Sequence, residues 1–159
     1  MTWQRLVANG FGSGLAPVAP GTAGSILGAF LGAVLLHFSW WALFTFTILA
    51  TASGVHAIRA ATLLPLRATT SAHMDDPGWI VIDEIAGQCC ALLFLPRPTL
   101  AGVALAFAAF RLFDITKPGP IGWADRQGGA VGIMADDILA GLAAGIVVLL
   151  GHMLEPGWV

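Results

Sequence analysis

Three short acidic segments carry the side chains that could do chemistry in this sequence. They are Asp83-Glu84, Asp114 and Asp136-Asp137, and each adjoins a run of apolar residues. Charged groups beside or inside apolar helices are costly, which makes them candidates for function. A single acidic pair could simply offset a helix dipole, but we expect all three segments to meet on one face. Carboxylates from different helices would form a hard oxygen site suited to Mg²⁺, water and a substrate phosphate.

Two basic residues accompany the second acidic segment. Arg111, Asp114 and Lys117 are spaced by three, so a helical turn aligns them until Pro118 ends the helix. Arg111 could bind a phosphate through its two-pronged guanidinium group, and Lys117 could bind it as a point charge. Acids, bases and a metal in one place indicate phosphoryl chemistry.

A Gly- and Pro-rich segment, residues 10–25, precedes the first long apolar run. It holds five Gly and two Pro in 16 residues. Its exposed amides, with Thr22 or Ser25 as a helix cap, could hold an anion. No Gly-Lys-Ser/Thr follows, so the segment is not a nucleotide-binding P-loop. A tight structural loop explains it equally well.

The composition places these groups in an unusually apolar chain. Its 159 residues are 57% hydrophobic and 10% charged, with a mean hydropathy of +0.84, whereas soluble domains carry about 25% charged residues. Between Arg5 and Arg59, 53 residues carry no formal charge, enough for two spanning helices of about 20 residues each. The abundant apolar surface excludes intrinsic disorder. A net charge of −2 does not provide the basic surface that nucleic-acid binding requires.

The apolar runs are long, rich in Ala and Leu, and lack the alternation of strands. We expect five main helices, near residues 23–36, 39–58, 80–95, 99–112 and 138–154, with turns at residues 37–39 and 96–98. Glycines at every fourth residue (24, 28 and 32, then 141 and 145) would let helix backbones approach closely. The prediction is a compact all-α helical bundle, embedded in a membrane, with residues 1–159 as a single domain.

The two turns also predict an orientation. If both lie on one side of the membrane, the segments 9–22, 59–83 and 111–137 lie on the other. That side, with Arg5, would hold six of the seven Lys and Arg residues and eight of the nine acids. The positive-inside tendency makes it the cytoplasmic side.

Four segments, read together, carry a resemblance to a known family. They are GSGLAPVAPGTAGS (12–25), DPGWIVIDEIAG (76–87), FRLFDITKPGPIG (110–122) and GGAVGIMADDILAG (128–141). In this order they resemble the phosphatidylglycerophosphatase A family, over nearly the whole chain. The resemblance implies an all-helical, multi-pass protein of the bacterial inner membrane. It also implies Mg²⁺-dependent removal of the terminal phosphate from phosphatidylglycerophosphate, which gives phosphatidylglycerol. With the orientation predicted above, the active site would lie on the cytoplasmic face.

The motifs also imply roles for individual residues. The implied metal ligands are Asp83, Glu84, Asp114, Asp136 and Asp137. The implied catalytic residues are Asp83, Glu84, Asp114, Lys117 and Asp137. The implied phosphate-binding residues are Arg111, Lys117, Thr22 and Ser25. The chain departs from the family at Gly119, where many members carry a bulky aromatic residue, and His73 with Asp75-Asp76 replaces the Lys or His residues common in the second motif.

Our hypothesis for the mechanism places Mg²⁺ on Asp83, Asp137 and either Asp114 or Asp136. Glu84 or a spare Asp would then orient the attacking water as general base. An aspartyl-phosphate intermediate is the rival mechanism.

Two other function classes stay open. A small membrane transporter would place its acids at mid-membrane rather than at helix ends, and a non-catalytic membrane interaction protein would not need the Asp114–Lys117 arrangement. The expected partners are the phospholipid substrate and the bilayer, with no nucleic acid.

Overall fold

The computed structural model describes residues 3–63 and 78–154, and within these ranges the chain is helical with no strand. A 3₁₀ helix, Gly10–Leu15, joins the first two α-helices. The α-helices are α1 Trp3–Ala8, α2 Pro20–Phe38, α3 Trp40–Leu63, α4 Ile82–Leu92, α5 Leu100–Thr116, α6 Pro120–Asp125 and α7 Gly129–Leu154. The all-α prediction with five main helices is confirmed, and α1 and α6 are additional short helices.

Three helices of the described ranges are long and apolar enough to cross a membrane by length and composition: Pro20–Phe38, Trp40–Ala60 and Gly129–Leu154. Helix α4 has 11 residues, which corresponds to about 17 Å. A bilayer core is about 30 Å thick, so α4 is too short to span it. The long helices must therefore shield α4.

Helix α4 lies at the centre of the bundle. Every residue of it is buried except Glu84, which is half-buried, and it packs against α2, α3, α5 and α7. The predicted glycine stripe of α2 forms one of these contacts: a Cβ at Gly28 or Gly32 would meet atoms of α4, and a Cβ at Gly24 would meet Val81, the residue just before α4. The close helix packing predicted for these glycines is confirmed.

Two helix starts differ from the sequence prediction. Helix α2 begins at Pro20, and its N-cap is Ala19 in the left-handed conformation without a side-chain hydrogen bond. The prediction that Thr22 or Ser25 caps this helix is therefore wrong, because the proline and the backbone of Ala19 start the helix. Helix α7 begins at Gly129 rather than near residue 138, so Asp136 and Asp137 lie inside the helix and do not precede it.

Both predicted turns lie at one end of the bundle. His37 and the segment from Pro96 to Thr99 line a common cavity there, and the Trp40 indole N–H donates to the carbonyl of Leu93 at 2.9 Å. The N-termini of α2 and α4 and the C-terminus of α5 consequently lie at the opposite end. The acidic segments are on these termini and on the neighbouring turns of α7.

Candidate active site

Three carboxylates from two helices form the centre of the candidate site. Asp83 and Glu84 lie in the first turn of α4, and Asp137 lies on α7. Each offers an oxygen, and these three oxygens lie within 4.8 Å of one another. Oδ1 of Asp83 and Oε2 of Glu84 are buried and have no hydrogen-bond partner among the described residues. Buried carboxylate oxygens that repel one another and lack donors are suited to hold a cation.

Glycines bring the two acidic helices together. A Cβ at Gly141 of α7 would overlap the carbonyl of Gly87 on α4, and a Cβ at Gly87 would approach the carbonyl of Asp137. Because neither residue has a side chain, the two backbones touch one turn beyond the carboxylates. Asp137 is thereby placed against Asp83 and Glu84.

Arg111 connects the carboxylates to the Gly- and Pro-rich segment. Its guanidinium group donates to Asp114 and to the hydroxyl of Ser25, the latter at 3.3 Å. The Ser25 hydroxyl in turn donates to the carbonyl of Gly21 at 2.8 Å. A Cβ at Gly21 would collide with the Glu84 carboxylate and lie 3.6 Å from the Arg111 guanidinium. Glycine at this position therefore lets the start of α2 lie directly over the site.

Lys117 holds the other side of the site. Its ammonium group donates to Asp125 at 2.6 Å and to the buried carboxylate of Asp136. Asp136 also accepts from the backbone N–H of Asp137 at 3.0 Å, which fixes its side chain beside the cluster. Partial burial lowers the pKa of Lys117, but the hydrogen bonds to Asp125 and Asp136 outweigh it and raise the pKa above its usual range.

Burial dominates the electrostatics of the two acids on α4. It raises the pKa of Asp83, and it raises that of Glu84 well above the usual range, with the nearby Asp83 charge adding to the effect. Together with Asp114, Asp136 and Asp137, the site holds five carboxylates against the two cations Arg111 and Lys117. The net formal charge of these seven groups is −3, so a divalent cation would relieve the repulsion.

The structure places most of the sequence-predicted site residues in this one region. Asp83, Glu84 and Asp137 form the cluster itself, whereas Asp114 and Asp136 are paired with Arg111 and Lys117. Ser25 reaches the site through Arg111.

Thr22 is half-buried in the first turn of α2, where its backbone N–H donates to the carbonyl of Ala19 at 3.0 Å. Sequence reasoning missed Asp125, which contacts Lys117 only because the chain turns at Gly119. His73, Asp75 and Asp76 lie outside the described residues.

Comparison with known proteins gives consistent matches along the chain. The family described as Phosphatidylglycerophosphatase A matches residues 6–152. A protein named Phosphatidylglycerophosphatase A from Escherichia coli (strain K12) is 40% identical over 151 residues, covering 93% of this chain and 83% of that protein. Its namesake from Haemophilus influenzae is 40% identical over 146 residues, covering 91% and 85%.

A third relative carries a different name. This Bacteroides thetaiotaomicron protein, provisionally named as a phosphatidylinositol-3-phosphatase, is 37% identical over 151 residues, covering 92% of each chain. No solved structure matches the chain.

Proposed function

The chain belongs to the phosphatidylglycerophosphatase A family, and we propose that it hydrolyses phosphatidylglycerophosphate to phosphatidylglycerol and phosphate. The observation that carries this proposal is the cluster of Asp83, Glu84 and Asp137 beside the cations of Arg111 and Lys117. Carboxylates that can hold a metal, next to groups that can bind phosphate oxygens, are the parts that a phosphomonoester hydrolase needs.

Mg²⁺ is the cofactor that we propose, and Asp83 and Asp137 would hold it, with Glu84 beside them. The donor set fits because these side chains offer hard oxygen ligands, and one oxygen of Asp83 is buried without a hydrogen-bond partner among the described residues. Asp114 and Asp136, which the sequence also suggested as ligands, are engaged by Arg111 and Lys117 and would border the ion. When bound, the ion would polarise the phosphate and offset its developing charge.

Arg111 and Lys117 are proposed to bind the terminal phosphate. Asp114 and Ser25 fix the guanidinium group of Arg111, which leaves its remaining N–H groups to bind phosphate oxygens. Lys117, held by Asp125 and Asp136, brings a second positive charge from the other side. Two fixed cations would hold the phosphorus over the carboxylates with little reorganisation during the reaction.

Glu84 is proposed as the general base. It is half-buried, whereas Asp83 and Asp137 are buried, so of the three carboxylates it is the one that a water molecule reaches most readily. Glu84 would take a proton from the attacking water as the water oxygen bonds to phosphorus. The bond to the ester oxygen breaks, that oxygen takes a proton from solvent water as the hydroxyl of phosphatidylglycerol, and Glu84 returns its own proton to the solvent.

An aspartyl-phosphate intermediate would require Asp83 or Asp137 to attack phosphorus instead. Single-turnover reactions with labelled substrate, quenched in acid, distinguish the two mechanisms. Water attack predicts no label on the protein, whereas the covalent mechanism predicts label on one of these two residues.

We propose that the site faces the cytoplasm from the bacterial inner membrane. It lies at the same end of the bundle as Arg59 and Arg126, and Arg97 lies at the opposite end, beside the turn that contains His37. This distribution of basic residues follows the positive-inside tendency. The lipid could then stay in the inner leaflet while its headgroup reaches the carboxylates.

The test is phosphate release from phosphatidylglycerophosphate in detergent micelles, with Mg²⁺ and after EDTA. Asp83→Asn and Asp137→Asn should each lower the rate by at least about a hundredfold, while the exposed, remote Arg97→Gln should not. Phosphatidylinositol 3-phosphate belongs in the same assay because one relative carries that name. A folded wild-type preparation that releases no phosphate from phosphatidylglycerophosphate with Mg²⁺ would refute the proposal.

A further inference from the structure

An apolar groove opens beside Pro118, the residue that follows Lys117. Its volume is about 410 Å³, and its walls are Phe113 at the end of α5, the turn from Pro118 to Ile121, and four residues of α7. Gly119 leaves its mouth open, since a Cβ there would meet no atom within 4 Å. The rim of the groove at Pro118 therefore follows directly on Lys117, whose side chain lies on the charged side of the site.

The wall formed by α7 gives the groove a direction. Its residues are Leu139, Leu142, Ala143 and Ile146, spaced by three and four and so on one face of the helix. Leu139 follows Asp136 by three residues, and Ile146 follows it by ten. With a rise of 1.5 Å per residue, this stripe extends about 15 Å from the acidic site, close to half of a bilayer core of about 30 Å. The groove thus runs from the site into the depth of one leaflet.

The groove and the site together match the two parts of a phospholipid, an apolar chain and a charged headgroup. The described lining contains no charged side chain, and the paired Lys117 and Asp136 lie one and three residues before Pro118 and Leu139 of that lining. Leu142 and Ile146 are 41% and 54% exposed, so an apolar chain in the groove can contact them. A ligand that matches both parts carries its phosphate at Lys117 and an apolar chain immediately below.

We propose that this groove holds an acyl chain of the phospholipid whose phosphate lies at Arg111 and Lys117. The proposal rests on the proposed function and adds to it the part of the protein that recognises the lipid tail. Occupation by the substrate's own chain follows from the continuity of groove and site, because the chain and the phosphate belong to one molecule. The groove would make the site prefer a lipid over its free headgroup.

Groove-filling variants test the proposal. Leu142→Trp and Ile146→Trp would each occupy the space of the chain, and Leu150→Trp is the matched control, since Leu150 lies one turn further along α7, is 54% exposed and does not line the groove. Each variant is assayed with diacyl phosphatidylglycerophosphate in mixed micelles and with the deacylated, water-soluble headgroup. We expect KM for the diacyl substrate to rise about tenfold in the two groove variants, the effect of losing about two methylene contacts. The deacylated headgroup and the control should be unaffected.

Two kinetic outcomes overturn the proposal. Equal losses on both substrates would mean that the groove wall only supports the site. Unchanged kinetics on both would mean that bulk lipid or another copy of the chain covers the groove.

A binding readout separates this proposal from the proposed function. Phosphatidylglycerophosphate with a photoreactive acyl chain should crosslink to residues 139–146 of the wild type, and Ile146→Trp should abolish the crosslink. Photoreactive phosphatidylcholine, which has no terminal phosphate, should not label this stretch. If the wild type fails to hydrolyse the lipid but gives this labelling, only the proposed function fails. Equal labelling by both lipids would overturn the groove proposal even in an active enzyme.

Discussion

The carbonyl oxygen of Gly87 lies so close to Gly141 that a Cβ at Gly141 would overlap it. This contact joins α4 to α7 backbone to backbone. The carboxylates of the candidate site stand one turn away on the same two helices. The distance between Asp83 and Asp137 is therefore determined by the absence of a side chain at position 141.

Gly141→Ala should accordingly impair both folding and activity. The new methyl group meets backbone that cannot rotate away, so we expect a loss of about 1–3 kcal/mol of stability and a phosphatase rate at least tenfold lower, about 1.4 kcal/mol in the barrier. Melting temperature in detergent and phosphate release measure the two effects.

Gly145→Ala is the control for this change. Its Cβ would meet the ring of Phe94 rather than backbone, and a ring can move aside, so both losses should be smaller. Equal losses in the two variants would show that the approach of α4 and α7 at Gly87 and Gly141 has no special role.

Most of the fold could be predicted because the long apolar runs are compatible only with helices, which short turns must connect. Turns at residues 37–39 and 96–98 divide runs that can only be helices, and the glycine stripe indicated which face of α2 packs closely. The start of α7 could not be found this way. The apolar run predicted a start near residue 138, but α7 begins at Gly129, and a Cβ at Gly132 would contact the carbonyl of Ala124 on α6. Nothing in the sequence of α7 indicates this packing against α6.

The candidate site was predictable in its members and less so in its internal pairing. Charged residues are so few that their convergence at one end of the bundle follows from the helix order. Which carboxylates lie together depends on side-chain geometry, and the structure places Glu84, rather than Asp114 or Asp136, closest to Asp83 and Asp137. The Lys117–Asp125 contact depends on the left-handed backbone of Lys117 and on the turn at Gly119, which residue spacing does not encode.

Lys117→Met should destabilise the protein as well as inactivate it. The substitution leaves the carboxylate of Asp136 buried without its cation. Removing one partner of a buried pair costs about 3–5 kcal/mol, and the partial exposure of Lys117 should reduce this to about 1–3 kcal/mol. Thermal melting and phosphate release again measure the effects.

The double variant Lys117→Met with Asp136→Asn separates the structural role of Lys117 from its functional role. With the charge of Asp136 removed as well, stability should return to within about 1 kcal/mol of the wild type, while activity should stay low because the phosphate has lost one of its cations. Recovery of activity in the double variant would show that Lys117 only neutralises Asp136.

Gln88→Met should stabilise the protein. Gln88 is fully buried on α4, and neither its amide nitrogen nor its amide oxygen has a hydrogen-bond partner in the described ranges. A buried polar group without a partner costs about 1–3 kcal/mol, and methionine has a similar length with a flexible apolar end. We expect a gain of about 1 kcal/mol, measured as a higher melting temperature. Cys89→Ser at the next position is a contrasting variant, because it adds polarity in a fully buried place and should destabilise. A lower melting temperature for Gln88→Met would mean that the amide makes an essential hydrogen bond.

Divalent cations should stabilise the fold by binding the same carboxylates that are proposed to hold Mg²⁺ during the reaction. Asp83, Glu84 and Asp137 repel one another at close range, so an ion that binds only the folded protein should raise its stability by about 2.7 kcal/mol at a hundred times its Kd. The measurement is the melting temperature in detergent with Mg²⁺, after EDTA, and after Mg²⁺ is restored.

Asp137→Asn should remove most of the Mg²⁺ response. Because one repelling charge is gone, this variant should also melt above the wild type in EDTA. Arg97→Gln, at the other end of the bundle, should respond to Mg²⁺ as the wild type does. The prediction is contradicted if Mg²⁺ does not change the melting temperature of the wild type. It is also contradicted if Asp137→Asn shows the full response, because the ion would then bind elsewhere.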